Sequence, residues 1–319
     1  PRGAMGQCAF GGAAGLDQAY AHRWILAQSA GENAASRTTA DHYVVEHVTV
    51  APGVFAVAAE FADTITSGFE TIFSLESTLY MTISTVGIIG AGTMGNGIAQ
   101  ACAVSGINVV MVDISDAAVQ KGISTVSGSL DRLIKKEKIS EADKTAALAR
   151  IKGSTSYEDL KSAQIVIEAA TENFDLKVKI LKQIDAIVPA DVILASNTSS
   201  ISITKLAAIT SRADRFIGMH FFNPVPMMAL VEIIRGLQTS DSTHDAVKAL
   251  SERLGKSPIT VKNAPGFVVN RILVPMINEA LFVLAEGLAT PEDIDAGMKL
   301  GCNQPIGPLA LADMIGLDV

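Results

Sequence analysis

From residue 82 onward the apolar positions fall into short runs separated by glycine or by polar helical stretches. The run TISTVGII (82–89), rich in Ile, Val and Thr and continuously apolar at its end, suits a buried parallel strand. GAGTMGNGIAQACAVSG (90–106) follows with apolar residues at helical spacing and Gly106 as a stop, and INVVMVD (107–113) predicts a second strand ending in acid. QIVIEAA (164–170) and DVILASNTSS (191–200) read as further buried strands, separated by the helical FDLKVKILKQIDAIV (174–188). RFIGMHFF and MALVEIIRG are strand-like and joined by NPVPM, which predicts a hairpin-like return. Such alternation predicts an α/β fold with a doubly wound, Rossmann-type sheet whose ligand sits at the carboxyl edge of the strands.

Upstream the style changes. Residues 1–80 hold no lysine, yet contain the single tryptophan, Trp24, and three of the five histidines. Only Phe61, Ile65, Phe69 and Phe73, spaced by four, predict a helix there. We expect an atypical extension, disordered or non-native, with the natural start at Met81. At the other end PIGPLALADMIGLDV closes in apolar sequence with no polar tail, so we also expect truncation at Val319.

A net charge of −8 without a basic cluster argues against nucleic acid and against anionic membrane surfaces as partners. Cys8, Cys102 and Cys302 are far apart and lack metal-ligand spacing, so neither a disulfide framework nor a metal site is expected, and a reduced, cytoplasmic compartment is. No apolar stretch reaches the roughly 18 residues of a membrane span.

Gly90, Gly92 and Gly95 form GxGxxG at the first strand-to-helix turn. There the first glycine permits the turn, the second admits a pyrophosphate close to the backbone, and the third lets the helix pack on the strand. Asp113, 23 residues after Gly90 at the end of the second strand, is placed to accept ribose hydroxyls. It would repel a 2′-phosphate and no arginine follows it, so NAD is favoured over NADP. Glu172 and Ser199 fall just past later strand ends, where site residues are expected; a solvated charge and an N-cap remain open as alternatives.

If the chain folds back about Pro226, residues whose numbers sum to 452 face each other, and His220 meets Glu232. A carboxylate beside imidazole stabilises the imidazolium and fixes its tautomer, as a general base in alcohol oxidation requires. After Met81 the only other histidine, His244, sits in the polar helix start SDSTHDAV.

VGIIGAGTMGNGIAQACA, IEAATEN, ASNTSS, IGMHFFNPVPMMALVEIIRG and PGFVVNRILVPMINEA together resemble the 3-hydroxyacyl-CoA dehydrogenase family, and within it the bacterial 3-hydroxybutyryl-CoA dehydrogenases. The resemblance covers residues 81–319 and implies an NAD-binding domain at 81–264, then an all-helical, dimer-forming domain at 265–319 that is incomplete. It implies oxidation of an L-3-hydroxyacyl-CoA in fatty acid or butanoate metabolism, by a homodimer. His220 is then the base and Glu232 its carboxylate. Ser199 and Asn270 bind substrate beside the nicotinamide, Glu172, Lys177, Ser199 and Asn223 lie near NAD, and Ser129 and Lys136 meet the CoA moiety. The rivals are a dehydrogenase of a non-CoA hydroxy acid on the same scaffold and a non-catalytic dinucleotide-binding protein.

Overall fold

The computed structural model describes residues 83–316; the helix predicted on Phe61, Ile65, Phe69 and Phe73 lies outside the described residues. The chain runs β1 (Thr85–Ile89), α1 (Thr93–Val104), β2 (Asn108–Val112), α2 (Asp116–Ile134), α3 (Glu141–Ala149) and β3 (Ile151–Ser154). It continues through β4 (Ile165–Glu168), α4 (Phe174–Ile187), β5 (Ile193–Ser196), α5 (Ile203–Ala207), β6 (Phe216–Phe221) and β7 (Leu230–Arg235). The last elements are α6 (Asp241–Arg253), β8 (Ser257–Lys262), α7 (Val269–Ala285), α8 (Pro291–Gly301) and α9 (Pro308–Ile315).

All eight strands form one sheet in the order β3-β2-β1-β4-β5-β6-β7-β8. β1 to β6 are parallel, β7 runs antiparallel to β6, and β8 is parallel to β7. The order reverses between β1 and β4, which opens the crevice where α/β sheets bind ligands.

Strand alternation divides the core in two. Ile165 and Ile167 pack on one side with Ile98 and Ala99 of α1, Val126 and Leu130 of α2, and Val247 and Leu250 of α6. Val166, between them in sequence, packs on the other with Ile180, Leu181 and Ile184 of α4 and Ile203 and Leu206 of α5. Both sheet faces are therefore covered, which is why the central strands read as unbroken apolar runs. The edges have no such signature: β3 buries only Ile151 of its four residues, and β8 only Val261 of its six. Sequence patterning missed both.

α2 and α3 are capped by Ser115 and Ser140, the latter in a reciprocal capping box with Asp143. Beyond β8 the chain turns at Gly266 and Phe267, both at positive φ, and enters the helices α7 to α9.

Candidate active site

At the end of β1 the backbone turns at Gly90, φ +98°, where the amide donates to the Val112 carbonyl at 2.8 Å. A Cβ built on Gly95 would lie 1.7 Å from the Gly90 carbonyl oxygen, so this helix start packs on the turn only because both residues are glycine. At Gly92 an added Cβ meets nothing within 4 Å, which leaves the first turn of α1 open on its outer side, the space a pyrophosphate needs. Asp113 borders this turn from β2: Oδ2 accepts from the Ala91 amide at 2.6 Å and Oδ1 from the Ile114 amide at 2.7 Å. These are the features of a dinucleotide cradle, with the Asp113 carboxylate held beside the glycine turn.

An ionic cluster, buried at Glu168 and Lys177 and open to solvent at Glu172, closes the ends of β4 and β5. Lys177, on α4 and 1% exposed, places Nζ 2.8 Å from both Glu168 oxygens and 3.5 Å from Glu172 Oε2. Glu168 also accepts from the Ser196 hydroxyl at 2.7 Å and the Ala170 amide at 2.8 Å. Glu172 Oε1 gathers the Asn-Thr-Ser-Ser turn, accepting from the Thr198 hydroxyl, the Ser199 amide at 2.9 Å and hydroxyl at 3.2 Å, and the Ser200 amide and hydroxyl, each at 3.1 Å. Burial works to raise the Glu172 carboxyl. The bonds from Thr198, the Lys177 charge and the bonds from Ser199 and Ser200 outweigh it and hold the carboxyl below its usual range. Ser199 and Glu172 are thus in contact, whereas Lys177 reaches the cluster from inside the protein.

The antiparallel register of β6 and β7 sets His220 opposite Glu232, and every pair from Ile217↔Arg235 to Phe221↔Val231 obeys the same sum. His220 Nδ1 lies 2.7 Å from Glu232 Oε2. The second oxygen, Oε1, accepts from the amides of Val268 at 3.0 Å and Val269 at 3.1 Å, at the start of α7. Burial raises the Glu232 carboxyl, but bonds from His220, Val269 and Val268, with the imidazole's charge, more than offset it and hold it low. Phe222 and Phe267 flank the imidazole, with ring centroids at 4.6 and 5.7 Å.

A pH dependence follows. A depressed folded-state value stabilises the fold above the ordinary carboxyl value of 4.5 and is lost as pH falls through the folded value. Melting curves of Glu232→Gln between about pH 6 and about pH 3.5 are expected to lose less Tm than those of the parent. An equal loss would remove Glu232 as a source of acid sensitivity.

Asn270 is the second residue of α7, one position past the amide that holds Glu232. Asn223 is exposed in the β6–β7 connection and precedes a cis peptide to Pro224. Ser129, half-buried on α2, and Lys136, exposed in the turn after it, share no side-chain hydrogen bond with the other site residues among those described. Two participants carry no sequence signal. Glu168 is an acid inside an apolar strand run, and Asn197, whose Oδ1 accepts from the Phe221 amide at 2.8 Å, ties β5 to the strand bearing His220.

Residues 85–264 match the 3-hydroxyacyl-CoA dehydrogenase NAD binding domain, and residues 266–319 match the C-terminal domain of the same family. The chain is 50% identical over 236 residues to a 3-hydroxybutyryl-CoA dehydrogenase of Bradyrhizobium diazoefficiens, covering 74% of this chain and 80% of that protein. It is 43% identical over 243 residues to the mitochondrial hydroxyacyl-coenzyme A dehydrogenase of Rattus norvegicus, covering 74% of this chain and 77% of that one. Among solved structures, (S)-3-hydroxybutyryl-CoA dehydrogenase PaaH1 from Ralstonia eutropha shares 83% identity at a TM-score of 0.73, over 74% of this chain and 84% of that one. With both family models in series along one chain, over a sheet whose crevice holds the glycine turn, this protein belongs to the 3-hydroxyacyl-CoA dehydrogenase family.

Proposed function

We propose that the protein interconverts L-3-hydroxyacyl-CoA and 3-ketoacyl-CoA with NAD, and that 3-hydroxybutyryl-CoA is its substrate in fatty acid and butanoate metabolism. The observation that carries this reading is the His220–Glu232 pair at 2.7 Å, in a chain half identical to dehydrogenases of that name.

Bound NAD supplies the hydride acceptor, or in reduced form the donor. The protein does the rest. Glu232 occupies Nδ1 of His220, so Nε2 takes the proton of the C3 hydroxyl during oxidation and returns one to the forming alkoxide during reduction. The carboxylate stabilises the imidazolium formed in between. Ser199 and Asn270 orient the C3 oxygen and stabilise its developing charge. Ser129 and Lys136 meet the CoA moiety, Lys136 as a point charge for phosphate. Glu172 and Asn223 border the cofactor, and Lys177, buried behind Glu172, acts on that side through its charge.

The C-terminal helices support a homodimer. Ile272, Phe282, Leu288 and Leu300 leave between 53% and 87% of their surface exposed, an apolar area of the kind that marks an association face. No helix among the described residues is long and apolar enough to cross a membrane. The reading of a cytoplasmic enzyme rests on the sparse, widely spaced cysteines.

The test is a steady-state assay of the full-length protein with acetoacetyl-CoA and either NADH or NADPH. Rapid NADH-dependent reduction is the expected outcome; turnover only with a hydroxy acid lacking CoA would replace the substrate assignment. Cofactor preference rests on Asp113. Asp113→Ser removes the charge facing a 2′-phosphate, and the ratio of kcat/KM for NADPH over NADH is expected to rise about 10- to 100-fold, as the loss of one charged interaction implies. An unchanged ratio would place selectivity elsewhere.

A further inference from the structure

Between β8 and α7 two consecutive residues adopt the left-handed region, Gly266 at φ +73° and Phe267 at φ +50°. Glycine accepts this conformation freely, whereas a bulky side chain there is strained, and such strain persists where surrounding structure over-determines it. Phe267 is 3% exposed and caps a contiguous arrangement. Its ring centroid lies 5.7 Å from that of His220, tilted by 58°. The next two amides, Val268 and Val269, donate to Glu232 Oε1, while the Gly266 carbonyl accepts from the Arg271 amide at 2.9 Å. One turn thus touches the imidazole with a side chain and the carboxylate with its backbone. It also begins the helix that carries Asn270.

We propose that Phe267 is a positioning residue of the reaction: its left-handed turn sets a tilted aromatic ring against His220 and presents two amides to Glu232, so both members of the pair are oriented by one strained element. This rests on the reading of His220 as the base. A glycine would satisfy the backbone without strain but offer no ring, and a leucine would fill the volume but make no ring-to-ring contact with the imidazole. Neither alternative would restrain the ring against rotation about its bond to Cβ, which is what keeps Nε2 aimed at a substrate oxygen while Nδ1 stays on Glu232. The aim matters because proton transfer needs the base within hydrogen-bond reach of the hydroxyl.

The experiment compares the parent, His220→Gln and Phe267→Leu in the full-length protein. Acetoacetyl-CoA reduction gives kcat and KM, fluorescence titration gives the Kd for NADH, and proton NMR follows the downfield Nδ1–H resonance, assigned by its absence in His220→Gln. For Phe267→Leu the expected result is a kcat lower by about tenfold or more. KM and the NADH Kd stay within about threefold, and the Nδ1–H resonance is broadened or lost. A kcat within about threefold of the parent, with the resonance intact, overturns the positioning role even if His220→Gln is inactive, and leaves the functional reading standing. Parallel loss of NADH affinity, KM and kcat also overturns it, because that is the mark of general structural damage. A parent without turnover, or an active His220→Gln, removes the functional reading and this inference together.

Discussion

Replacing His220 with glutamine is expected to lower kcat for acetoacetyl-CoA reduction by about 10²- to 10⁴-fold, the range a positioned acid-base group contributes. Glutamine keeps a polar side chain of similar reach that can still meet Glu232 Oε2, so the hairpin retains a partner for its buried carboxylate. It cannot exchange a proton near neutral pH. The Kd for NADH is expected to stay within about threefold, since the glycine turn and Asp113 are built from β1, α1 and β2 on the other side of the crevice. Glu232→Gln is expected to cost less, because it weakens the imidazolium without removing the group that moves the proton. Equal kcat for His220→Gln and the parent would end the assignment of the base.

The second large effect is on stability. Lys177 and Glu168 are 1% and 0% exposed, and the ammonium meets both carboxylate oxygens. Lys177→Met removes one partner and leaves Glu168 buried without its countercharge, a change that costs about 3–5 kcal/mol. In a domain of this size that corresponds to a Tm lower by about 6–20 °C. Adding Glu168→Gln to Lys177→Met replaces the ions with neutral groups of similar volume, and the double variant is expected to regain most of the loss. Glutamine can still accept from the Ala170 amide through its oxygen and donate through its amide nitrogen to the Ser196 hydroxyl oxygen, groups whose present partners are the two Glu168 oxygens. A Lys177→Met protein that melts within about 2 °C of the parent would show that the pair adds nothing net.

What the sequence reveals depends on whether a feature has a period. β1, β2, β4 and β5 are flanked on both faces, so burial writes an unbroken apolar run, and the glycine turn has fixed spacing. The hairpin was legible because pairing about one turn makes a sum rule, which the register obeys from Ile217 to Phe221. Edge strands β3 and β8 are half solvated and carry no such mark. The Lys177–Glu168 pair joins a helix to a strand end nine residues away, and a lysine on a polar helix looks the same in sequence whether it points inward or out. Phe267 was hidden for a different reason: a left-handed backbone on a non-glycine residue leaves no trace in composition, and only the preceding glycine hints at a turn. Ser129 and Lys136 are assigned to the CoA moiety through the family resemblance alone, since nothing in their local pattern separates them from an ordinary solvated helix end.

The reversed direction of β7 has a further meaning. In a wholly parallel sheet the carboxyl edge is reached only by loops, but an antiparallel neighbour lets two strand interiors supply a side chain each to the same place. His220 and Glu232 therefore sit within the hydrogen-bonded ladder, in the part of a protein that opens last and as a unit. Separation of the pair and loss of the sheet are then one event, so a molecule frayed at its loops and edges loses the aim that the Phe267 turn gives the imidazole before it loses the contact between His220 and Glu232.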